Sequence, residues 1–104
     1  MKIILACDAG MSTSIMVTKM KKAADEKGLD ADIQAIPLKF LDENMEGTDV
    51  VLLGPQMKYT LSKVQTRLAD LHIPVDVINS LDYGMMRGDK ILEQALQLAK
   101  SSTE

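Results

Sequence analysis

The chain has 104 residues, 46% hydrophobic and 26% charged, with a formal net charge of -3. That length predicts one domain over 1–104, burying roughly 60–65% of its unfolded surface. The acidic balance excludes a nucleic-acid partner, which needs a basic face.

The first residues show no basic-then-apolar leader, and no apolar run approaches the ~18 residues of a membrane helix, which predicts a cytoplasmic protein with no direct membrane insertion. Ile3-Ile4-Leu5-Ala6 reads as a buried strand. After it comes Cys7-Asp8-Ala9-Gly10-Met11-Ser12-Thr13-Ser14, a small, hydroxyl-rich loop that runs into a helical pattern from Met11 to Lys27. Met16, Met20, Ala23 and Ala24 mark that helix, and Gly28 is its stop. Asp32-Ile33-Gln34-Ala35-Ile36 alternates before Pro37, as an edge strand does. Residues 38–48 are irregular or a short helix, with Asp42, Glu43 and Glu46 facing water. Val50-Val51-Leu52-Leu53 is an apolar strand ending at Gly54-Pro55. Met57, Leu61, Val64, Leu68 and Leu71 then form one helical stripe. Pro74 opens a last strand, Val75 to Ile78, followed by a loop through Tyr83-Gly84. A final helix spans about Asp89 to Lys100, and residues 101–104 are expected to fray.

Alternating strands and helices predict an α/β fold with a four-stranded parallel sheet. Strands one and three are unbroken apolar runs and belong in the middle, whereas Gln34 and Asp76 mark strands two and four as edges. The order 2-1-3-4 follows, with helices on both faces. Ligands bind such sheets at the carboxyl ends of the strands, in the crevice where the winding reverses, here between strands one and three.

Cys7 is the only cysteine, so no internal disulfide is possible and a reducing compartment is expected. As a strand-end residue facing a helix N-terminus, it is placed for nucleophilic work. Backbone N–H groups from Asp8 to Ser14 can cradle the oxygens of a phosphoryl group on its sulfur, with Ser12, Thr13 and Ser14 adding hydroxyls. The bland alternatives are an inert core thiol and ordinary helix capping. Gln56 and Tyr83 are weaker candidates for the site rim. His72 lies at the amino end of strand four, on the edge opposite Cys7. Met11, Met57, Met85 and Met86 fall in or beside loops of the carboxyl edge, where adaptable side chains suit docking of more than one partner; core packing is the competing reading. No nucleotide-binding glycine motif is present, and one Cys with one His supports no metal site. No cofactor is expected.

The segment from Cys7 to Ser14 resembles the Cys-x-Ala-Gly-Met-Ser-Thr-Ser signature of enzyme IIB of the phosphotransferase sugar-uptake system, lactose/cellobiose family, in its cellobiose or diacetylchitobiose branch. Residues 49–56 and 79–84 are similar to that family's strand-three segment and to its loop after strand four. The resemblance implies that Cys7 takes a phosphoryl group from a phosphohistidine of the IIA component. It implies transfer of that group to a sugar held by the membrane component IIC, a β-disaccharide such as cellobiose or chitobiose. It also implies the fold of low-molecular-weight tyrosine phosphatases, whose loop carries Cys-x5-Arg. Thr13 stands at the arginine position, so phosphate can be held while a hydrolytic transition state is poorly stabilised. Asp8 departs from the family's small neutral or polar residue, and a carboxylate there repels a phosphocysteine unless it points away. A small cysteine-dependent phosphatase and a phosphorylation-responsive regulatory module are the alternatives.

Overall fold

The structure, a computed structural model, describes residues 1–7 and 11–103, the side chains of residues 11–13 and 101–103 excepted. Four strands, β1 (Lys2–Cys7), β2 (Asp32–Pro37), β3 (Val50–Leu53) and β4 (Val75–Val77), form one sheet in the order β2-β1-β3-β4. All three pairings are parallel, with Ala6 opposite both Ile36 and Leu53 and Cys7 opposite Pro37. The expected order and edges are therefore present. Every residue of β3, and Ile3 to Ala6 of β1, is fully buried. Such strands can only be central, because both faces and both edges are covered.

Side-chain alternation splits the core into two layers. Ile3, Leu5, Val50 and Leu52 pack with Met16 and Met20 of α1 (Met11–Glu26) and with Ile91, Leu92 and Ala95 of α4 (Gly88–Thr103). Ile4, Ala6, Val51 and Leu53 pack with Val64 and Leu68 of α2 (Leu61–Ala69), and with Leu41 of a 3-10 turn over Leu38–Asn44. The exposed Lys27–Glu93 pair, 3.3 Å, links the residue after α1 to α4 but adds little beside that burial.

The chain stops its helices in one recurring way. The N–H of Leu29 donates to Ala24 and that of Gly28 to Asp25, which is the double closure of a Schellman turn around a left-handed residue. Ile73 to Leu68 and His72 to Ala69 close α2 identically, and Arg87 to Asp82 with Met86 to Tyr83 close α3 (Ser80–Gly84). The left-handed residues are Gly28, His72 and Met86, with φ of 68, 58 and 56.

Three expectations need correction. The stripe from Met57 to Leu71 is not one helix: a 3-10 turn over Pro55–Thr60 precedes α2, and Leu71 lies beyond its end, 54% exposed. The turn at His72 reverses the chain before Leu71 can reach the core. Residues 80–84 are helical rather than a loop, because the Asn79 side chain accepts from the N–H groups of Leu81 and Asp82 at 2.9 and 3.1 Å. Cys7 does not sit in a surface loop. It is the last residue of β1 and is 1% exposed, since β2 runs on to Pro37 and keeps it paired.

Candidate functional site

Of the expected candidates, Cys7, the backbone of Met11 to Ser14, Gln56 and Tyr83 stand in segments at the carboxyl ends of the strands. Cys7 closes β1, and alternation turns its side chain to the face of Ile3 and Leu5, the one α1 covers. Four residues on, α1 begins at Met11 and runs for 16 residues, so its N-terminal turn and positive dipole end lie at this edge. Asp8, Ala9 and Gly10 lie outside the described residues. Met11, Ser12 and Thr13 are described through their backbone, as the first turn of α1. Ser14 follows on the same turn and is exposed, its carbonyl accepting from the Thr18 hydroxyl at 3.2 Å.

Beside β1, the N–H of Gly54 donates to the Ala6 carbonyl at 3.0 Å, which ties the end of β3 to the residue before Cys7. The Gln56 carboxamide folds back over Gly54, where a Cβ would stand 2.9 Å from its Oε1. Gly54 thus lets an exposed amide lie flat at the crevice between β1 and β3. Beyond β4, the N–H of Ile78 donates to Leu53 at 2.8 Å, and Asn79 starts α3. Tyr83 of α3 is half-buried against the α1/α4 core layer. Asp82 on the same helix faces Arg87 at 3.7 Å.

The methionines divide. Met57 is 5% exposed and belongs to the core, Met86 is half-buried against it, and Met85 is 55% exposed. Ile15 on the second turn of α1 and Leu81 on α3 are exposed as well, so apolar side chains stand near the edge that holds Cys7. His72 lies at the other edge, where a cleft of ≈ 420 Å³ opens between Met1, Asp49, His72 and Lys100. The structure thus keeps His72 apart from Cys7.

Composition reasoning missed Asn79, Gln65, Gln94 and Gly88. Asn79 before Ser80-Leu81-Asp82 was a readable helix cap. The glutamines carried no signal, since their partners are backbone groups distant in sequence. Among the described residues, no three His, Cys, Asp or Glu side chains gather to hold a metal ion. No helix there is long and apolar enough to cross a membrane.

Comparison with known proteins agrees with the fold. Residues 2–94 match the family model "PTS system, Lactose/Cellobiose specific IIB subunit". The oligo-beta-mannoside-specific EIIB component of Bacillus subtilis (strain 168) is 46% identical over 97 residues, covering 93% of this chain and 94% of that protein. The solution structure of a cellobiose-specific IIB component from Borrelia burgdorferi superposes with a TM-score of 0.81 at 38% identity, over 98% of this chain and 94% of that one. A low-molecular-weight protein tyrosine phosphatase from Bacillus subtilis shares the fold, with a TM-score of 0.55 at 22% identity over 96% of this chain and 95% of that one. By the match over residues 2–94 and the near full-length relatives, the chain belongs to the lactose/cellobiose-specific IIB family of the sugar phosphotransferase system.

Proposed function

We propose that this chain is a cytoplasmic phosphocarrier whose single thiol relays a phosphoryl group from a IIA phosphohistidine to a sugar bound by membrane IIC. The observation that carries the reading is the position of Cys7, the last residue of a central strand, on the α1-covered face, four residues before that helix begins. In the first step the Cys7 sulfur attacks phosphorus, an S–P bond forms and the N–P bond breaks, its electron pair returning to the histidine ring. In the second step a sugar hydroxyl oxygen attacks the same phosphorus, the S–P bond breaks and the thiolate is restored. The hydroxyl proton leaves to a base on the acceptor side. Backbone N–H groups of residues 8–14, with hydroxyls of Ser12, Thr13 and Ser14, hold the oxygens during both steps.

Relatives named for oligo-beta-mannosides and for cellobiose support a β-linked oligosaccharide as the acceptor, and a relative named for galactose supports galactose as the competing acceptor. The test is reconstitution with phosphoenolpyruvate, the general phosphotransferase proteins, a cellobiose-type IIA and membranes holding the matching IIC. Cellobiose phosphate should accumulate only when this chain is present. The shared phosphatase fold keeps one rival in view. Steady turnover of p-nitrophenyl phosphate without IIA would favour that rival and count against a carrier.

A further inference from the structure

The free edge of β4 is closed by side chains. The N–H of Val51 donates to the Pro74 carbonyl and that of Ile78 to the Leu53 carbonyl, so Pro74 and Ile78 turn toward β3. By alternation, Val75, Val77 and Asn79 turn their backbone groups outward. Gln65 of α2 donates to the Val75 carbonyl at 3.0 Å, and the Asp76 carboxylate accepts from the Val77 N–H at 2.7 Å. Gln94 of α4 takes the next two groups: its Nε2 donates to the Val77 carbonyl at 2.8 Å and its Oε1 accepts from the Asn79 N–H at 3.1 Å. In a parallel ladder one residue of the neighbouring strand bonds the C=O of residue i and the N–H of residue i+2. The Gln94 carboxamide makes that same pair of bonds to Val77 and Asn79, and so stands in for one residue of a missing fifth strand.

We infer that Gln94 is a positioning residue for phosphoryl transfer, acting through the rim segment Asn79–Gly84; the inference rests on the carrier reading above. The chain of force is short. Gln94 fixes the Asn79 N–H, and the Asn79 side chain holds the N–H groups of Leu81 and Asp82. The Asn79 carbonyl accepts from the Tyr83 N–H at 2.9 Å. Short helix α3 has no fully buried residue of its own, so these bonds at its start, together with the half-buried Tyr83 ring, set its place at the carboxyl edge. It presents Leu81, and Met85 just past its end, 63% and 55% exposed, to an incoming partner. Gln94 acts through its two bonds to the backbone of Val77 and Asn79. It sets where the docking rim stands.

The test uses the full-length chain with Gln94→Met, which keeps the length of the side chain but neither bond, and Gln94→Glu, which keeps an acceptor for Asn79. Amide exchange at Asn79, Leu81 and Asp82 should rise in Gln94→Met while β1 and β3 stay protected. The KM for phosphorylated IIA should rise about 3- to 10-fold with kcat little changed, as for two lost amide bonds. Gln94→Glu should fall between wild type and Gln94→Met, and it carries the test if Gln94→Met does not fold. A merely structural role would lower the folded fraction, and hence kcat, at constant KM. Unchanged exchange at Asn79 would overturn the positioning role, and increased exchange with unchanged KM would overturn its link to transfer. A wild-type chain that accepts no phosphoryl group from IIA would overturn the relay, and this inference with it.

Discussion

His72 holds φ 58 at the position where a Schellman turn takes glycine at least cost, and its side chain is exposed. A left-handed residue with a Cβ costs roughly 1–2 kcal/mol, part of which glycine returns through its freer unfolded state. His72→Gly is therefore expected to stabilise the fold by about 0.5–1 kcal/mol, read from urea unfolding midpoints. A loss of stability would mean that the imidazole makes contacts this account lacks. Met86 shares the backbone strain but packs half-buried on the core, so glycine there should gain less. Cys7→Ala deletes one buried atom and should cost only about 1 kcal/mol. Thr13 lies in the first turn of α1, and the resemblance to low-molecular-weight tyrosine phosphatases matches it to their arginine. Thr13→Arg should add a bidentate donor to the phosphoryl oxygens and shorten the phosphoprotein lifetime. A half-life equal to wild type or longer would remove that explanation of the missing arginine.

Helices α1 and α4 meet at Gly88, the first residue of α4, where a Cβ would lie 2.7 Å from the carbonyl carbon of Lys19 and 2.8 Å from the nitrogen of Met20. Backbone atoms of a packed helix cannot yield cheaply, so Gly88→Ala should destabilise by about 1–3 kcal/mol. Thermal unfolding would show it, and an unchanged Tm would refute the close approach. This contact was not legible in the sequence, where Gly88 reads as a loop glycine before Asp89. The strands were legible because β1 and β3 are unbroken apolar runs and the edges carry Gln34 and Asp76. Helix ends were legible where glycine marks them, at Gly28, and not where His72 or Met86 takes the same conformation. Leu71 kept the helical stripe going one turn too far, since periodicity does not register a reversal at the next residue. For the site, the segment from Cys7 to Ser14 announced itself by composition and position. The hold on its rim did not, because Gln94 acts through backbone groups 15 and 17 residues away.

Across the whole molecule the two edges of the sheet differ in kind. The carboxyl edge carries Cys7, the start of α1, Gln56 and α3, with exposed apolar side chains nearby, while His72 and its cleft occupy the amino edge. The β4 edge is sealed by Gln65, Asp76 and Gln94, which leaves it little opportunity to add a strand from another chain. The central claim, that one thiol at the carboxyl edge is the phosphoryl carrier, is tested most directly by locating the phosphoryl group. The chain and its Cys7→Ala variant would each be phosphorylated through IIA, weighed intact, and mapped by peptide mass spectrometry. The account predicts one added phosphoryl group on the peptide containing Cys7, and none on the folded variant. Label on His72, or an equal mass gain in Cys7→Ala, would contradict it.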